Sequence, residues 1–488
     1  MTANDSDLLA PALRAFEAGD RDRAAEMLAR FDAQASASAD RRWASVARLA
    51  AILGEANLAI SAIRKHVGQS PYDIERRLAY GALLASLGRV QDAVNTTQAF
   101  LAHAPPDARL HHLIGTGWAQ LGETELALES LRRSLALDPF LAQAAATWLT
   151  IADLKVFAPG DPDIAAMQTL TRMSGADGDQ SSTLLYALGK ALDDAGDPTA
   201  AFAAYQAGAA QVRKARAHSP ASSRAFVDAV VRDLDVARFS ALPASLIDSE
   251  RPIFVLGLPR SGTTLVEQIL VSHSGVHDGA EVNLFSTATM ALGGFGPDQL
   301  TRLADRSDAA TAWTDFGRAY LHLLDERFGK EGRVVDKTLT HTRFLGHIKH
   351  VLPKARFIWL RRSPADTALS CFRTHFADGV NWSWSMTDIG RHFADEDRLH
   401  RHWITQYPDD ILTVPYEDLV TDPSTWVGRI IDHCGLSFEP ALHQFHLSRR
   451  AVATASANQV RQPLHQRAIG GWRRYEAPMK AFFEAYEA

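Results

Sequence analysis

The stretch GLPRSGTT, residues 257–264, has the spacing of a loop that binds a nucleotide phosphate. Loops of this kind read G-x-x-x-x-G-K-[ST], and Gly257, Gly262 and Thr264 occupy the required positions. Thr263 stands where the pattern has the lysine that reaches the β- and γ-phosphates. A triphosphate would also need a magnesium ion held by an acidic partner, which the sequence does not show. The loop therefore favours an anion less charged than a triphosphate, with a nucleotide kinase as the alternative.

Backbone and side-chain donors of the loop suit such an anion. The glycines allow backbone N–H groups to face it, and the N-terminus of the following helix adds a positive dipole. The hydroxyl groups of Thr263 and Thr264 are two further donors, and Arg260 adds a cation at the crown of the loop. By itself, this spacing identifies only a phosphate-like ligand.

A second candidate anion-binding segment follows the apolar run ARFIWLRR. Arg362 ends that run, and Ser370 follows eight residues later in the next predicted helix. An arginine can make two charge-assisted hydrogen bonds to one phosphate, and a serine hydroxyl adds a neutral donor. This pair of residues therefore suits a phosphate group as well.

Together, PRSGTT and the R-x7-S spacing resemble the sulfotransferases that use 3′-phosphoadenosine-5′-phosphosulfate (PAPS) as donor. The resemblance covers most of residues 250–475. It implies that PRSGTT holds the 5′-phosphosulfate and that Arg362 and Ser370 hold the 3′-phosphate, a group that ATP lacks. The cofactor-binding residues that it implies are Pro259, Arg260, Ser261, Gly262, Thr263, Thr264, Arg362, Ser370, Tyr416 and Ser456.

Two of these residues come from the C-terminal part of the resemblance. Tyr416, in TVPYEDLV, matches a tyrosine that contacts the nucleotide, and Ser456, in SANQVRQP, matches a segment that closes over PAPS. Gly471 departs from the family, which has a lysine at this position before the tryptophan. Arg467 or Arg473 is expected to replace that lysine.

Within the family, the chain is most similar to tyrosylprotein sulfotransferases and to bacterial sulfotransferases that carry tetratricopeptide repeats. Tyrosylprotein sulfotransferases place a catalytic glutamate 21 residues after the loop arginine, and Glu281 has this position relative to Arg260. Ala280 replaces the first acid of the family's pair. The segment KTLTH keeps the family lysine as Lys337 but lacks the histidine that small-molecule sulfotransferases have two residues later. The resemblance therefore implies Glu281 as the base, with His341 as the alternative.

The expected reaction transfers a sulfuryl group from PAPS to a hydroxyl acceptor and releases adenosine 3′,5′-bisphosphate. A base must reach the hydroxyl proton as the oxygen attacks sulfur, and Glu281 is the expected base. Lys337 and Arg260, with the loop amides, are expected to stabilise the charge that develops on the leaving phosphate. Neither a covalent intermediate nor a metal ion is expected.

The elements that must position these residues follow from the pattern after Pro252. The apolar runs PIFVLGL, ARFIWLRR and DILTVPYEDLV predict buried parallel strands, each followed by a helix. This succession predicts a three-layer α/β, P-loop-like domain with a central parallel sheet. Its site is expected at the carboxyl ends of the strands.

The first half of the chain repeats with a period of 34 residues. Glycine recurs at 54, 88 and 122, alanine at 59, 93 and 127, and proline at 71, 105 and 139. This pattern resembles the tetratricopeptide repeat, in which pairs of helices stack into an α-helical solenoid with a concave binding surface. Degenerate copies begin near Gly19 and Leu185, and the segment 140–180 is expected to be irregular.

The length of 488 residues is consistent with more than one domain. We expect a repeat domain over 1–217, a linker with a connecting helix over 218–250, and a sulfotransferase domain over 251–488. The net charge of −6 argues against a nucleic-acid partner, and two cysteines imply no disulfide framework. The N-terminus lacks the layout of a signal peptide, and no apolar run reaches the roughly 18 residues that span a bilayer. A cytoplasmic protein without membrane contact is therefore expected.

Several functions remain open at this point. A protein tyrosine on a polypeptide recruited by the repeats is the acceptor that the resemblance implies, and a carbohydrate or small phenol is the alternative. A nucleotide kinase is opposed by Thr263. A repeat-based adaptor with an inactive enzyme domain is opposed by the joint presence of Glu281, Lys337, Arg362 and Ser370.

Overall fold

Helices fill the first half of the computed structural model. The structure describes residues 8–35, 41–140, 144–173, 179–279, 281–304, 306, 308–377, 379–448, 450–452 and 460–488. The helices described before residue 217 are α1 (Leu9–Glu17), α2 (Arg21–Gln34), α3 (Trp43–Ile52), α4 (Ala56–Gly68), α5 (Ile74–Ser86), α6 (Val90–Leu101), α7 (Ala108–Leu121), α8 (Thr124–Leu137), α9 (Ala144–Leu154), α10 (Pro162–Met173), α11 (Asp179–Asp194) and α12 (Pro198–Ala215). Most consecutive helices pack as pairs: α1 with α2, α3 with α4, α5 with α6, α7 with α8, and α11 with α12. The predicted helical repeat architecture is confirmed.

The repeating small residues have two physical roles in these pairs. Gly54, Gly88 and Gly122 lie in the turns between paired helices, with φ of +80°, +77° and +86°. Glycine adopts this left-handed backbone at low cost, so it ends one helix and lets the next begin. Glycines inside the helices, in contrast, allow neighbouring helices to pack closely. A Cβ on Gly81 would lie 2.5 Å from Cδ2 of Leu113, so a larger residue would not fit there. The repeated glycines in the sequence therefore mark both the turns between helices and the close contacts between them.

The irregularity expected over 140–180 corresponds to α9 and α10, which do not pack as a pair: α9 packs against α8 and α11, and α10 packs against α11. These two helices are joined by the longer connection 155–161, which includes Gly160 with φ of +81°. After α12, two further helices, α13 (Pro220–Asp233) and α14 (Val236–Ser240), lead to the sheet. The first of them packs against a helix of the second half.

Five parallel strands make up the described sheet, in the order β2-β3-β1-β4-β5. They are β1 (Pro252–Leu256), β2 (Val276–Asp278), β3 (Arg333–Asp336), β4 (Arg356–Arg361) and β5 (Ile411–Pro415). The central strand β1 pairs with β3 on one side and β4 on the other, with Ile253 opposite both Val335 and Arg356. The three predicted strands are confirmed as β1, β4 and β5.

Helices cover both faces of this sheet. The helices described after β1 are α15 (Thr263–Leu270), α16 (Leu284–Ala288), α17 (Pro297–Ala304), α18 (Ala309–Phe328), α19 (Leu345–Val351), α20 (Pro364–Phe372), α21 (Met386–Gln406), α22 (Tyr416–Thr421), α23 (Pro423–His433) and α24 (Lys480–Tyr486). On one face, Ile253 and Val255 pack in a core with α15 and α23. On the other, Phe254 and Leu256 pack in a core with α18, α19 and α21. The predicted three-layer α/β arrangement is confirmed.

The repeat half contacts the second half of the chain at several places. Nε2 of His322, on α18, lies 3.1 Å from Oε1 of Glu55, which precedes α4. Near the C-terminus, the backbone N–H of Val452 and Nη2 of Arg461 both donate to the carbonyl oxygen of Gln120, at 2.8 and 2.7 Å.

Among the helices that the structure describes, none combines the length and the apolar character needed to cross a membrane.

Candidate active site

The loop 257–264 connects β1 to α15 and has a strained backbone. Gly257 and Gly262 have φ of +140° and +108°, and Arg260 has φ of +68°. In the described part of the chain, Arg260 and Asn283 are the non-glycine residues with positive φ. Such conformations cost on the order of 1–3 kcal/mol each and occur mainly at functional sites. Arg260 is itself a predicted site residue, and Asn283 lies two residues after the predicted base Glu281.

The conformation of the loop directs several groups toward one place. Ser261 is buried, and its Oγ donates to the carbonyl oxygen of Leu258 at 2.7 Å, which closes the turn. Thr263 and Thr264, both buried, form the first turn of α15. The backbone N–H groups of that turn have no acceptor within the helix, so they suit an anion bound at its N-terminus. Pro259 accepts a contact of 3.3 Å from Sγ of Cys371, which fixes the loop against α20.

Six of the predicted binding residues, together with Gly471, line a single cavity of about 210 Å³. They are Arg260, Gly262, Thr264, Arg362, Ser370 and Tyr416. The fold explains why they meet, because β1, β4 and β5 are neighbours in the sheet and these residues follow their carboxyl ends. Ser456 lies outside the described residues, so its predicted role stays a prediction.

Arg362 is the residue that joins the parts of this cavity. Its Nη1 donates to the carbonyl oxygen of Arg260 at 2.9 Å, and its Nη2 donates to that of Ala468 at 2.7 Å. Its guanidinium stacks on the ring of Tyr416, 4.7 Å from the ring centroid. Its Nε is buried and has no hydrogen-bond partner among the described residues. A buried donor without an acceptor is costly, so this atom fits a ligand that brings an anionic oxygen.

Arg260 faces the second predicted 3′-phosphate residue. Its Nε donates to Oγ of Ser370 at 3.0 Å. Burial, with the neighbouring Arg362, lowers the pKa of the Arg260 guanidinium because removing a cation from water and placing it beside another cation both disfavour its charge. A bound anion would relieve both effects.

Glu281 and Lys337, the predicted base and catalytic lysine, form a direct ion pair. Nζ of Lys337 lies 2.6 Å from Oε1 of Glu281, whose side chain is 42% exposed, whereas Lys337 is fully buried. Lys337 follows β3, the neighbour of β1, and adjacent strands lie about 5 Å apart. The predicted reacting groups are therefore one strand away from the loop.

Two residues that the sequence motifs did not include, buried Glu267 and half-buried Arg450, lie beside this pair. Glu267, one turn after Thr263 on α15, lies 3.8 Å from Nζ of Lys337, and Arg450 contacts Glu267 at 3.3 Å. Burial opposes the charge of Lys337, but Glu267 and Glu281 more than offset burial and raise its pKa. Only the helical spacing of Glu267 from the threonines could have indicated it in advance. Lys337 is thus held as a cation at the carboxyl end of β3.

His341, the alternative base, lies inside the core. It is fully buried and packs against the rings of Phe254, Phe285 and Phe344. Burial lowers its pKa, and Asp336, 3.7 Å away, offsets only part of this effect. A base must reach the acceptor proton, so this position favours Glu281.

Replacing Gly262 with alanine is expected to weaken nucleotide binding and to destabilise the second half of the chain by about 1–3 kcal/mol. The new Cβ would lie 2.6 Å from Cδ2 of Tyr416, in a backbone with φ of +108°. Urea unfolding and titration with adenosine 3′,5′-bisphosphate measure both effects. Gly435→Ala is the matched control, because Gly435 also has positive φ but a Cβ added there would meet nothing within 4 Å. Unchanged bisphosphate affinity in Gly262→Ala would contradict a nucleotide role for the loop.

Comparison with known proteins matches the part of the chain that carries this site. Residues 252–440 match the model of a sulfotransferase family. A protein of Aquifex aeolicus (strain VF5) is 32% identical over 241 residues, which are 47% of this chain but only 31% of that protein. A Caenorhabditis briggsae protein, provisionally named a protein-tyrosine sulfotransferase, is 25% identical over 237 residues, 46% of this chain and 82% of that protein.

A solved structure, the sulfotransferase domain of the Synechococcus PCC 7002 olefin synthase, covers 46% of this chain and 90% of its own length. It is 22% identical, with a TM-score of 0.35. The sheet, the glycine loop, Lys337 and the Arg362–Ser370 segment all lie within the residues that the family model matches. The similarity to the sulfotransferase family therefore covers the part of the chain that carries this site, residues 252–440.

Proposed function

We propose that this protein transfers a sulfuryl group from PAPS to a hydroxyl acceptor and releases adenosine 3′,5′-bisphosphate. The sulfotransferase family supports the reaction type. The observation that carries the choice of donor is Arg362, whose buried Nε has no described partner in a cavity shared with Arg260 and Ser370. This arrangement supports a nucleotide that brings a second anionic group beside the loop, as the 3′-phosphate of PAPS would.

The residues present fit such a donor. The amides of the loop and the hydroxyl groups of Thr263 and Thr264 would hold the 5′-phosphosulfate, while Arg362 and Ser370 would hold the 3′-phosphate. When bound, PAPS supplies an activated sulfuryl group on a phosphate leaving group. The loop has no lysine at Thr263 for a γ-phosphate, which supports PAPS over ATP.

Glu281 is the proposed base. It accepts the proton of the acceptor hydroxyl as the oxygen bonds to sulfur, and its 42% exposure leaves the carboxylate open to an acceptor. Lys337 and Arg260 stabilise the negative charge that grows on the leaving phosphate as the S–O bond breaks. An anionic oxygen near Lys337 would compete with Glu281 for the ammonium, which leaves the carboxylate available for the proton.

A tyrosine on a polypeptide is the proposed acceptor. The similarity to the Caenorhabditis briggsae protein supports it, and a stack of helix pairs provides an extended surface that suits a chain-like partner. A carbohydrate or a small phenol is the alternative acceptor. Transfer of label from PAPS to host lysate, separated into protein, glycan and small-molecule fractions, distinguishes these acceptors, and label outside the protein fraction would contradict the tyrosine proposal.

Calorimetry with three nucleotides tests the donor. We expect adenosine 3′,5′-bisphosphate to bind about 10- to 100-fold more tightly than 5′-AMP, because hydrogen bonds to a charged group contribute about 1.5–3 kcal/mol. We also expect it to bind more tightly than ATP with magnesium. Tighter binding of ATP would contradict the proposal and support a kinase. Bisphosphate binding without transfer from PAPS in any fraction would support an adaptor instead.

A further inference from the structure

Two more arginines border the donor cavity beside the predicted 3′-phosphate residues. Arg373 follows Ser370 by three residues at the end of α20, and Arg474 lies in the turn of 3-10 helix Gly471–Tyr475. Both line the cavity that also contains Arg362 and Ser370. The cavity wall near Ser370 therefore has more cations than the sequence motif predicts.

A carboxylate from the repeat half holds both of these arginines. Asp193, at the end of α11, lies 2.6 Å from Nη1 of Arg373 and 3.0 Å from Nη2 of Arg474. The hydroxyl of Tyr475 donates to the same carboxylate at 2.5 Å. Asp193 is only 9% exposed. Three groups from the second half of the chain thus converge on one buried acid of the last helical repeat.

The packing around Asp193 fixes this arrangement. The ring of Phe202, on α12, stacks on that of Phe372 with centroids 5.2 Å apart and an interplanar angle of 26°. Phe372 directly precedes Arg373, so the backbone that carries the arginine is held by the repeats as well. The carboxylate also neutralises part of the mutual repulsion of the arginines. It thereby allows several cations to lie at one cavity wall.

We propose that the repeat half completes the donor site, because Asp193 positions Arg373 and Arg474 to contact the 3′-phosphate bound beside Ser370. This inference rests on the proposed function, since it assumes a donor with a 3′-phosphate. It makes Arg474 the functional replacement for the lysine that the family has at Gly471. The sequence predicted Arg467 or Arg473 for that role. Arg473 does not line the cavity, whereas Arg467 and Arg474 both do, and of these two it is Arg474 that Asp193 holds in place.

The arrangement also connects the donor cavity to a neighbouring cleft. Asp193, Arg373 and Arg474 border a second cleft, between the repeats and the loop, which has Arg260 and Ser370 on its other side. The acids and bases of this cleft are largely paired, as in the contact of 2.5 Å between Lys190 and Asp194. Asp193 differs because both of its arginine partners reach the donor cavity.

The test compares Arg474→Ala with Arg473→Ala in the full-length chain. Both variants remove one positive charge from adjacent residues, but only Arg474 lines the cavity. We expect Arg474→Ala to weaken binding of adenosine 3′,5′-bisphosphate about tenfold and to change 5′-AMP affinity less than twofold. Arg473→Ala is expected to change neither. An unaltered ratio of the two affinities in Arg474→Ala would overturn the assignment of this arginine to the 3′-phosphate.

A double-mutant cycle tests the contribution of the repeats. In an Asp193→Asn background, Arg474→Ala should change bisphosphate affinity by less than about threefold, since the arginine is no longer positioned. The full tenfold effect in both backgrounds would overturn the role of Asp193. Should Asp193→Asn fail to fold, Asp193→Glu keeps the charge but moves the carboxylate by one methylene out of its present contacts with the two arginines, and the same two outcomes apply. A wild-type chain without preference for the bisphosphate would instead contradict the proposed function, so the two failures can be distinguished.

Discussion

Glu281→Gln is expected to lower sulfuryl transfer by about 10²- to 10⁴-fold, the usual contribution of a positioned base. Bisphosphate affinity should stay within about twofold of wild type, because Glu281 does not line the donor cavity. Glutamine keeps the size of the side chain and can still accept a hydrogen bond from Lys337, 2.6 Å away in the wild type. A lower transfer rate would therefore reflect the missing proton acceptor and not the loss of the contact between Lys337 and residue 281. Single-turnover transfer from labelled PAPS measures the rate, and calorimetry measures the affinity.

Two further variants make this result specific. Glu250→Gln is the matched control, because Glu250 contacts Lys354 at 4.0 Å just before the central strand β1, at the amino ends of the strands and away from the site. It should transfer at the wild-type rate. Glu267→Gln tests a rival base, since Glu267 is buried, lies near Lys337 and has one carboxylate oxygen without a described partner. Normal transfer by Glu281→Gln together with loss in Glu267→Gln would move the base to α15.

Much of the fold could be predicted from the sequence because its strongest elements are long and periodic. The 34-residue period gives the helix pairs, and the apolar runs at β1, β4 and β5 give the centre and one side of the sheet. Strands β2 and β3 were not predicted. Val276–Asp278 and Arg333–Asp336 are too short to show a pattern of their own. Their strand conformation depends on pairing within the sheet, which is a long-range contact.

The candidate site divides in the same way. The loop residues could be predicted because a phosphate-binding turn needs consecutive residues of specific types. Arg450 and Asp193 could not, because their roles depend on partners far away in the chain, and only helical spacing pointed to Glu267. Asp193 and Arg373, for example, are 180 residues apart, and only the packing of repeats against α20 brings them together. Local motifs thus predict the residues that would contact a ligand, but they do not predict the distant residues that position them.

Arg362→Ala is expected to lower bisphosphate affinity by about 30-fold or more, since truncating one member of a buried charged contact costs about 2–5 kcal/mol. Affinity for 5′-AMP should fall much less. Part of the loss will come from the loop itself, because Arg362 donates to the carbonyl oxygens of Arg260 and Ala468. The ratio of bisphosphate to 5′-AMP affinity separates the two effects. A loosened loop weakens both nucleotides, whereas a lost 3′-phosphate contact lowers the ratio.

Arg361→Ala and Arg362→Lys complete this test. Arg361, the preceding residue on β4, pairs with Asp397 on α21 and does not line the cavity, so its loss should leave the ratio unchanged. Lysine at 362 keeps the charge but has no Nε–H fork, and it cannot hold both carbonyl oxygens and a phosphate at once. The ratio should therefore fall in Arg362→Lys almost as far as in Arg362→Ala. A lysine variant with the wild-type ratio would mean that charge alone binds the second phosphate, and the unpartnered Nε of Arg362 would then have no part in choosing the donor.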